Sequence, residues 1–342
     1  MKAMILKRCC SLETNRDPLE VAVLPDPCPV EDEILLKVNV CGVCHTELDE
    51  IEGRVLPPKF PLVLGHQVVG RVAASGPGAS NFGIGERVGV AWIHSVCGVC
   101  KFCSSGTENL CRKFIATGRD VNGGYAQYMT VSESFVYRIP QQISDSEAAP
   151  LLCAGAIGYR SLHLTGLVDG QNLGLVGFGA SAHLILKMVR YRFRLVKVFV
   201  FARNAEEREF SRELGAVWAG DISEVPPEKM DCIIDTTPVW KPVLAALNNL
   251  EAGGRLVINA IRKEKADKDT LLQLDYANHL WREKEIKSVA NVCRRDVSEF
   301  LTLAAEMEIK PEIQEFPLEQ ANRALLELRT QKIRGAKVLR IA

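Results

Sequence analysis

A chain of 342 residues exceeds what one hydrophobic core usually organises, so two domains are expected. Its 47% hydrophobic content suits ordinary globular cores, and its 42 basic residues balance 42 acidic ones. A net charge of zero argues against a nucleic-acid or membrane-surface partner, which would need a positive field, and favours small neutral ligands.

The first 150 residues alternate short β-rich runs such as EILLKVNV and QVVGRVAA with Gly and Pro punctuation, which predicts an irregular β domain. From about residue 151 the pattern changes to buried strands and amphipathic helices, beginning with NLGLVGFG, SAHLILKMVRYRF and VKVFVFA. MDCIIDTT, GRLVINA and EIKSVAN are further strand candidates. This alternation predicts a parallel α/β sheet to about residue 289. The remainder reads as two helices, DVSEFLTLAAEM and LEQANRALLEL, before a strand-like KVLRIA.

The N-terminus, MKAMILKRCC, lacks the apolar core of a signal peptide, and no run of about 18 apolar residues indicates a membrane span. A cytoplasmic protein is therefore expected. In such a chain the 12 cysteines favour metal binding or catalysis over disulfides.

Four cysteines follow the spacing C-x2-C-x2-C-x7-C, close enough to complete a tetrahedron of thiolates around zinc. They are Cys97, Cys100, Cys103 and Cys111. A zinc ribbon that grips nucleic acid is the alternative, but the only basic residues in or beside the segment are Lys101, Arg112 and Lys113. A structural zinc lobe is therefore preferred.

A glycine motif of the form G-x-G-x-x-A directly follows the predicted strand NLGLV and opens a helix, which is the context that a dinucleotide-binding turn requires. Its members are Gly177, Phe178, Gly179, Ala180, Ser181 and Ala182. The glycines allow a tight turn and close approach of the backbone to a pyrophosphate held at the helix N-terminus. A mere packing turn is the alternative.

The end of the next strand carries no acid for an adenosine ribose 2′-hydroxyl, since Ala202 is followed by Arg203 and Asn204. A missing acid beside an Arg favours a 2′-phosphate and hence NADP. Use of NAD, with Arg203 as a solvated loop residue, is the other interpretation.

At these motifs the sequence resembles the zinc-dependent alcohol dehydrogenases of the medium-chain dehydrogenase/reductase superfamily. GVCHTEL, the GH pair at 65 and 66, the four-cysteine lobe, GGYAQY at 123 to 128 and the glycine motif occur in the family's order. The resemblance implies a GroES-like catalytic domain over 1–150 with a zinc lobe at 97–111. It further implies a Rossmann-type domain over 151–289, a return to the first domain over 290–342, and an active site between the two.

The resemblance also implies a catalytic zinc held by Cys44, His66 and Cys153, with an open fourth position. Glu47 takes the place of a family Asp that hydrogen-bonds the ligand His. By resemblance, the Thr46 hydroxyl contacts the zinc-bound oxygen, and His45 passes the proton on through the cofactor ribose. Trp92 is expected to line the substrate pocket.

Two departures from the family pattern concern catalysis. Gln67 follows the ligand His where the family commonly has Glu, and Ala336 stands where relatives have a pyrophosphate-binding Arg. Arg334 or Lys337 would have to substitute for that Arg, or the contact is lost. The cysteines left over are expected to be small buried hydrophobes; they are Cys9, Cys10, Cys28, Cys41, Cys232 and Cys293.

The expected function is interconversion of alcohols with aldehydes or ketones by hydride transfer with NADP or NAD, using two zinc ions per chain. A polyol or secondary-alcohol dehydrogenase on the same scaffold is one alternative, and a zinc- and nucleotide-binding protein without turnover is another. By resemblance, a homodimer or homotetramer is expected.

Overall fold

The computed structural model describes residues 1–330 and 336–341. The chain forms two compact units. Unit 1 comprises Met1–Cys153 and Cys293–Ala342, and unit 2 comprises Ala154–Val292.

In unit 1 the strands are short apart from β3 and β5, and in unit 2 the strands other than β16 are mostly buried. In chain order they are β1 (Lys2–Leu6), β2 (Leu19–Val23), β3 (Glu33–Val43), β4 (Leu62–Val63), β5 (Val68–Ser75), β6 (Arg87–Val90), β7 (Ile93–Ser95), β8 (Ile115–Ala116), β9 (Tyr128–Ser132), β10 (Val136–Arg138), β11 (Asn172–Val176), β12 (Lys197–Phe201), β13 (Trp218–Gly220), β14 (Met230–Asp235), β15 (Leu250–Ile258), β16 (Glu285–Ser288), β17 (Ile313–Pro317) and β18 (Ala336–Arg340).

The α-helices are α1 (His45–Ile51), α2 (Lys101–Ser104), α3 (Asp145–Pro150), α4 (Ala156–Thr165), α5 (Ala180–Arg192), α6 (Ala205–Glu213), α7 (Lys241–Asn249), α8 (Tyr276–His279), α9 (Arg294–Glu306) and α10 (Ala321–Thr330). A π-helix, Leu151–Gly155, joins α3 to α4. Short 3₁₀ turns occur at Glu108–Leu110, Glu133–Phe135, Lys268–Gln273 and Leu318–Gln320. Within the described residues, no helix combines the length and the apolar character that crossing a bilayer requires.

Unit 1 is built on a seven-stranded sheet in the order β10-β6-β5-β3-β18-β17, with β9 also paired to β3. Strand β3 organises it because its alternate residues Ile34, Leu36, Val38 and Val40 are buried, the period expected of a strand with one face on the core. Smaller sheets, β2-β1-β4 and β7-β8, complete the unit.

Unit 2 is a six-stranded sheet in the order β13-β12-β11-β14-β15-β16, with every neighbouring pair parallel. Strand β11 is buried from Leu173 to Val176, as expected of a strand covered on both faces. The parallel α/β sheet predicted from the sequence is confirmed.

The prediction that the cysteines outside the zinc motifs are buried is wrong for three of them. Cys28 is exposed, and Cys9 and Cys10 are partly exposed, whereas the other three are buried. Cys28 lies in the Pro-rich loop between β2 and β3 and is not part of the hydrophobic core of unit 1.

Candidate active site

Three ligand atoms from separate segments of unit 1 converge on one point. Cys44 directly follows strand β3 and caps helix α1, His66 lies between β4 and β5, and Cys153 lies on the π-helix. Their side-chain donor atoms all lie within 4.8 Å of one another. A π-turn inserted between two α-helices is a local irregularity that often marks a functional position.

The separations fit a zinc ion. His66 Nε2 lies 3.7 Å from Cys44 Sγ and 3.3 Å from Cys153 Sγ. Tetrahedral zinc with bonds of about 2.3 Å to sulfur and about 2.05 Å to nitrogen gives an S–N edge of about 3.6 Å. Among the described residues this group comprises three donors, so a tetrahedral ion would keep one position for water or substrate.

Glu47 serves two of these ligands at once. Its Oε2 accepts a hydrogen bond from the Cys44 backbone N–H at 2.8 Å, and its Oε1 lies 2.7 Å from His66 Nδ1. Burial alone would lower the pKa of His66, but Glu47 and Cys44 reverse this and raise it well above its ordinary 6.5. The surroundings of the imidazole therefore favour a positive charge, which a bound zinc ion would supply.

The neighbouring residues singled out in the sequence lie around the same group. His45 is exposed and Thr46 is half-buried at the start of α1, where the Thr46 N–H donates to Cys44 Sγ at 3.4 Å. Trp92 is buried and packs edge-on against His66, with ring centroids 5.0 Å apart. Gln67 is buried against Gly42, where an added Cβ would lie 2.5 Å from its Oε1.

Sequence reasoning missed Glu50. This residue is 1% exposed, and among the described residues neither of its carboxylate oxygens has a hydrogen-bond partner. Burial, followed by the charge of Glu47, raises the pKa of Glu50 well above its ordinary 4.5. The i, i+3 spacing from Glu47 on a helix was the available signal, because it places both carboxyl groups on one helix face.

The four-cysteine segment also closes on one point. Sulfur separations are 3.5 Å for Cys100–Cys103, 3.6 Å for Cys97–Cys111 and 3.9 Å for Cys97–Cys103. Tetrahedral zinc with four thiolates has edges of about 3.8 Å. Backbone N–H groups of Val99 and Cys100 lower the pKa of Cys97 to about 6, so this sulfur is a thiolate at neutral pH and ready for a metal.

The glycine motif of unit 2 forms a tight turn between β11 and α5. Gly177 has φ +80°, which a residue with a side chain rarely adopts, and its N–H donates to Phe201 O at 2.8 Å. An added Cβ at Gly179 would meet no atom within 4 Å, so the space before the helix N-terminus is open to a ligand. Phe178 is buried against Phe210, while Ala180 opens α5 and Ala182 is buried. The turn fits a dinucleotide pyrophosphate.

The three residues that follow β12 include one basic residue and no acidic one. Ala202 is buried, Arg203 is exposed, and the Asn204 side chain accepts from Glu206 N to cap α6. Arg208 Nη1 donates to the carbonyls of Ala202 and Arg203 at 2.8 and 3.0 Å. This loop is therefore held at its backbone while the Arg203 side chain faces solvent.

Lys337, one of the two residues expected to substitute for the missing Arg at Ala336, is already paired within unit 1. Its ammonium donates to Gln314 Oε1 and Glu327 Oε2, each at 2.7 Å, and the residue is 1% exposed. The other candidate, Arg334, lies outside the described residues.

A three-donor metal group, a separate four-thiolate group and a glycine turn on a parallel sheet together define a metal-dependent dehydrogenase. Residues 30–141 match the family model of the alcohol dehydrogenase GroES-like domain. The probable alcohol dehydrogenase AdhA of Mycobacterium tuberculosis is 40% identical over all of this chain and 97% of its own length. An alcohol dehydrogenase of Geobacillus stearothermophilus is 31% identical over 96% of this chain and 98% of its own.

Among solved structures, a cinnamyl alcohol dehydrogenase of Sorghum bicolor, SbCAD4, superposes with a TM-score of 0.84 and 25% identity, covering 99% of this chain and 97% of that one. The chain belongs to the zinc-dependent, NAD(P)-linked alcohol dehydrogenases of the medium-chain dehydrogenase/reductase superfamily, which interconvert alcohols with aldehydes or ketones.

Proposed function

We propose that unit 1 is the catalytic domain, that Cys44, His66 and Cys153 hold its catalytic zinc, and that unit 2 binds the dinucleotide. The observation that carries this assignment is the convergence of two thiols and one imidazole with a fourth tetrahedral position left over. The four-thiolate group, by contrast, would surround its ion completely and so serve structure.

The residues at the start of α1 carry the proton in this scheme. When bound, zinc supplies the Lewis acid that lowers the pKa of the alcohol, and the nicotinamide supplies the hydride acceptor. Thr46 accepts the alcohol proton and donates its own, since a hydroxyl does both. His45, beside it, receives that proton, because removal from bulk water lowers its pKa below the ordinary 6.5 and so keeps the imidazole neutral and able to accept. Trp92 forms a wall of the substrate pocket.

Replacing one zinc ligand tests the assignment. Cys44→Ser is expected to abolish alcohol oxidation and to lower the zinc content from two ions per chain to one, while cofactor binding persists. Metal analysis, steady-state turnover and cofactor fluorescence measure the three quantities on one preparation. Alcohol oxidation by zinc-depleted Cys44→Ser protein would overturn the assignment.

The cofactor is proposed to be NADP in preference to NAD. The exposed Arg203 and the absence of an acid from Ala202 to Asn204 support this choice, because a 2′-phosphate needs a cation and no carboxylate. We expect kcat/KM to be higher with NADPH than with NADH. Arg203→Gln should reduce the ratio of these two values. A clear preference of the parent for NADH would contradict it.

The preferred substrate distinguishes between the remaining candidate functions. A panel of primary alcohols, secondary alcohols, polyols and the matching aldehydes distinguishes an alcohol dehydrogenase from a polyol dehydrogenase on the same scaffold. Cofactor binding without hydride transfer from any of the alcohols or to any of the aldehydes would support a non-catalytic protein, the alternative to which Gln67 and Ala336 point.

A homodimer or homotetramer is proposed from the edge of the unit 2 sheet. Strand β16 is the last in the sheet order, and all four of its residues are exposed. Large apolar side chains on this strand and in the chain segment that leads into it also face solvent; they are Leu272, Leu274, Tyr276, Trp281 and Ile286. An open strand edge beside apolar surface favours pairing with a second copy.

A cytoplasmic location is proposed from the thiols. All 12 cysteines lie within the described residues, and all are free of disulfides. Thiols that serve metal ions are typical of a reducing compartment.

A further inference from the structure

A buried ion pair lies at the carboxyl edge of the unit 2 sheet, separate from the glycine turn and from Arg203. Lys263 Nζ lies 2.5 Å from Asp235 Oδ2, and the two side chains are 8% and 0% exposed. Asp235 is the last residue of β14, and Lys263 lies in the loop that follows β15. A charged pair removed from water is costly unless its remaining donors and acceptors are satisfied, so this pair needs an explanation.

All three N–H donors of the Lys263 ammonium have acceptors at the end of β14 and in the loop that follows it. Besides Asp235, the ammonium donates to Thr237 O at 2.8 Å and Val239 O at 3.0 Å. The three partners come from residues 235–239, so one side chain fixes the path of that loop.

Further contacts join the two loops. Asp267 Oδ2 accepts from the backbone N–H groups of Trp240 and Lys241 at 2.7 and 2.9 Å, and Glu264 N donates to Pro238 O at 2.6 Å. The loops after β14 and β15 therefore form one body, with Lys263 at its buried centre.

This body lies directly against the glycine turn. An added Cβ at Gly177 would lie 2.7 Å from Thr236 Oγ1 and 3.2 Å from Thr237 Cγ2. Thr236 also donates from its N–H and its hydroxyl to Val176 O, at 2.9 and 3.0 Å. The 235–239 segment therefore borders any ligand that the turn holds.

The position in the sheet assigns this body to the second half of a dinucleotide. Chain order runs outward from β11 through β12 on one side and from β14 through β15 on the other, so the order reverses between β11 and β14. In sheets of this type the dinucleotide spans that switch point, with one nucleotide on each half. The glycine turn and Arg203 belong to the adenosine half, which leaves the nicotinamide half to the loops that Lys263 joins.

We propose that Lys263 is a positioning residue that fixes the loops after β14 and β15 as a preformed wall for the nicotinamide half of the cofactor. The inference rests on the proposed dinucleotide site of unit 2. Lys263 makes no contact with the cofactor in this scheme, since its three donors are taken by Asp235, Thr237 and Val239.

Two variants test the role. Lys263→Met removes the ammonium and keeps the apolar stem, but it leaves the Asp235 carboxylate buried without its partner. The double variant Asp235→Asn with Lys263→Met removes both charges, and the new amide oxygen at position 235 retains an acceptor for Thr237. Lys197→Met is the control, because it breaks an exposed ion pair with Glu228 in the same unit.

The readout compares the parent's preferred reduced cofactor with its adenosine half alone, 2′,5′-ADP for NADPH or ADP for NADH. In both Lys263 variants we expect affinity for the whole cofactor to fall about tenfold or more, and kcat/KM to fall about 10- to 100-fold, because a displaced wall misplaces the reacting ring. Affinity for the adenosine half should stay within about twofold of the parent, as should both affinities in Lys197→Met.

Unchanged cofactor affinity in the folded double variant would overturn the inference, as would an equal loss of affinity for the whole cofactor and its adenosine half. A parent protein that binds neither ligand would overturn the proposed nucleotide site itself, and this inference with it. A parent that binds both ligands, with the double variant matching it, would overturn the inference alone.

Discussion

At the scale of single residues, Glu47 links the metal ligands to the backbone that presents them. One oxygen holds the Cys44 N–H and the other faces His66 Nδ1, so the strand-to-helix turn and the imidazole share one carboxylate. A carboxylate at this position fixes the tautomer that leaves Nε2 free for metal and raises the basicity of the ring.

Glu47→Gln is therefore expected to weaken catalytic zinc binding about 10- to 100-fold. If the amide NH2 faces His66 Nδ1, the ring loses its acceptor; if the NH2 faces Cys44, the Cys44 N–H loses its acceptor. In both cases the negative charge is lost. Competition with a chromophoric chelator measures the affinity. Glu47→Asp keeps the charge and should lose less, and Glu20→Gln, at an exposed pair with Lys7, is the neutral control. Wild-type zinc affinity in Glu47→Gln would contradict the prediction.

The proposed metal ligands, and Glu47 beside His66, could be predicted from the sequence, but Glu50 and Lys263 could not. Cys97, Cys100, Cys103 and Cys111 are close in the chain, so their spacing alone indicates a shared ion. Cys44, His66 and Cys153 required a family resemblance, because nothing local connects them. Glu50 and Lys263 carry no motif, and their importance comes from burial, which depends on tertiary packing.

At the scale of elements, the sequence predicted the buried strands of unit 2, and the helices α9 and α10, better than the short helices of the first 153 residues. Strand β11 is an apolar run bounded by turn residues, a strong signal. Helix α1 has seven residues and α3 has six, too few for helical periodicity to emerge. The π-helix that bears Cys153 could not be predicted from periodicity, because it arises where α3 and α4 join.

The four-cysteine lobe is expected to contribute stability more than chemistry. Within residues 97–111 its regular structure is limited to the four-residue α2 and one 3₁₀ turn, so metal ligation would supply much of its folding energy. Cys103→Ser should lower the melting temperature by more than about 5 °C while kcat/KM stays within about threefold of the parent at temperatures where the variant is folded.

Thermal melts followed by circular dichroism, with zinc content measured before and after, test this expectation. Cys28→Ser is the matched control, since Cys28 is exposed and outside both metal groups. Equal melting temperatures of Cys103→Ser and the parent would refute the stabilising role of the lobe.

At the scale of the whole molecule, the exposed edge of unit 2 determines how copies associate in our proposal. Ile286 on β16 is 46% exposed and Trp281 just before it is 57% exposed. An open strand edge that pairs with itself in antiparallel fashion would bury both side chains in a two-fold interface.

Ile286→Lys is expected to shift the protein from dimers or tetramers toward smaller species, because a lysine on an edge strand opposes edge-to-edge pairing. Light scattering coupled to gel filtration gives the mass directly. Val225→Lys is the control, at an exposed apolar position, 86% exposed, in the loop between β13 and β14. The same mass for Ile286→Lys and the parent would place the interface elsewhere.

The pairing of β18 with β3 has a consequence for biosynthesis. Strand β18 lies beside the residues that lead into Cys44, with Lys337 opposite Val43 and Leu339 opposite Cys41. In the chain, however, β18 follows all of unit 2. A nascent polypeptide emerging from the ribosome can thus fold its parallel sheet while β3 still lacks one neighbour. On the proposed assignment, the cofactor domain can therefore fold before the metal pocket is complete, and we expect zinc to bind in that pocket only after β18 has paired with β3.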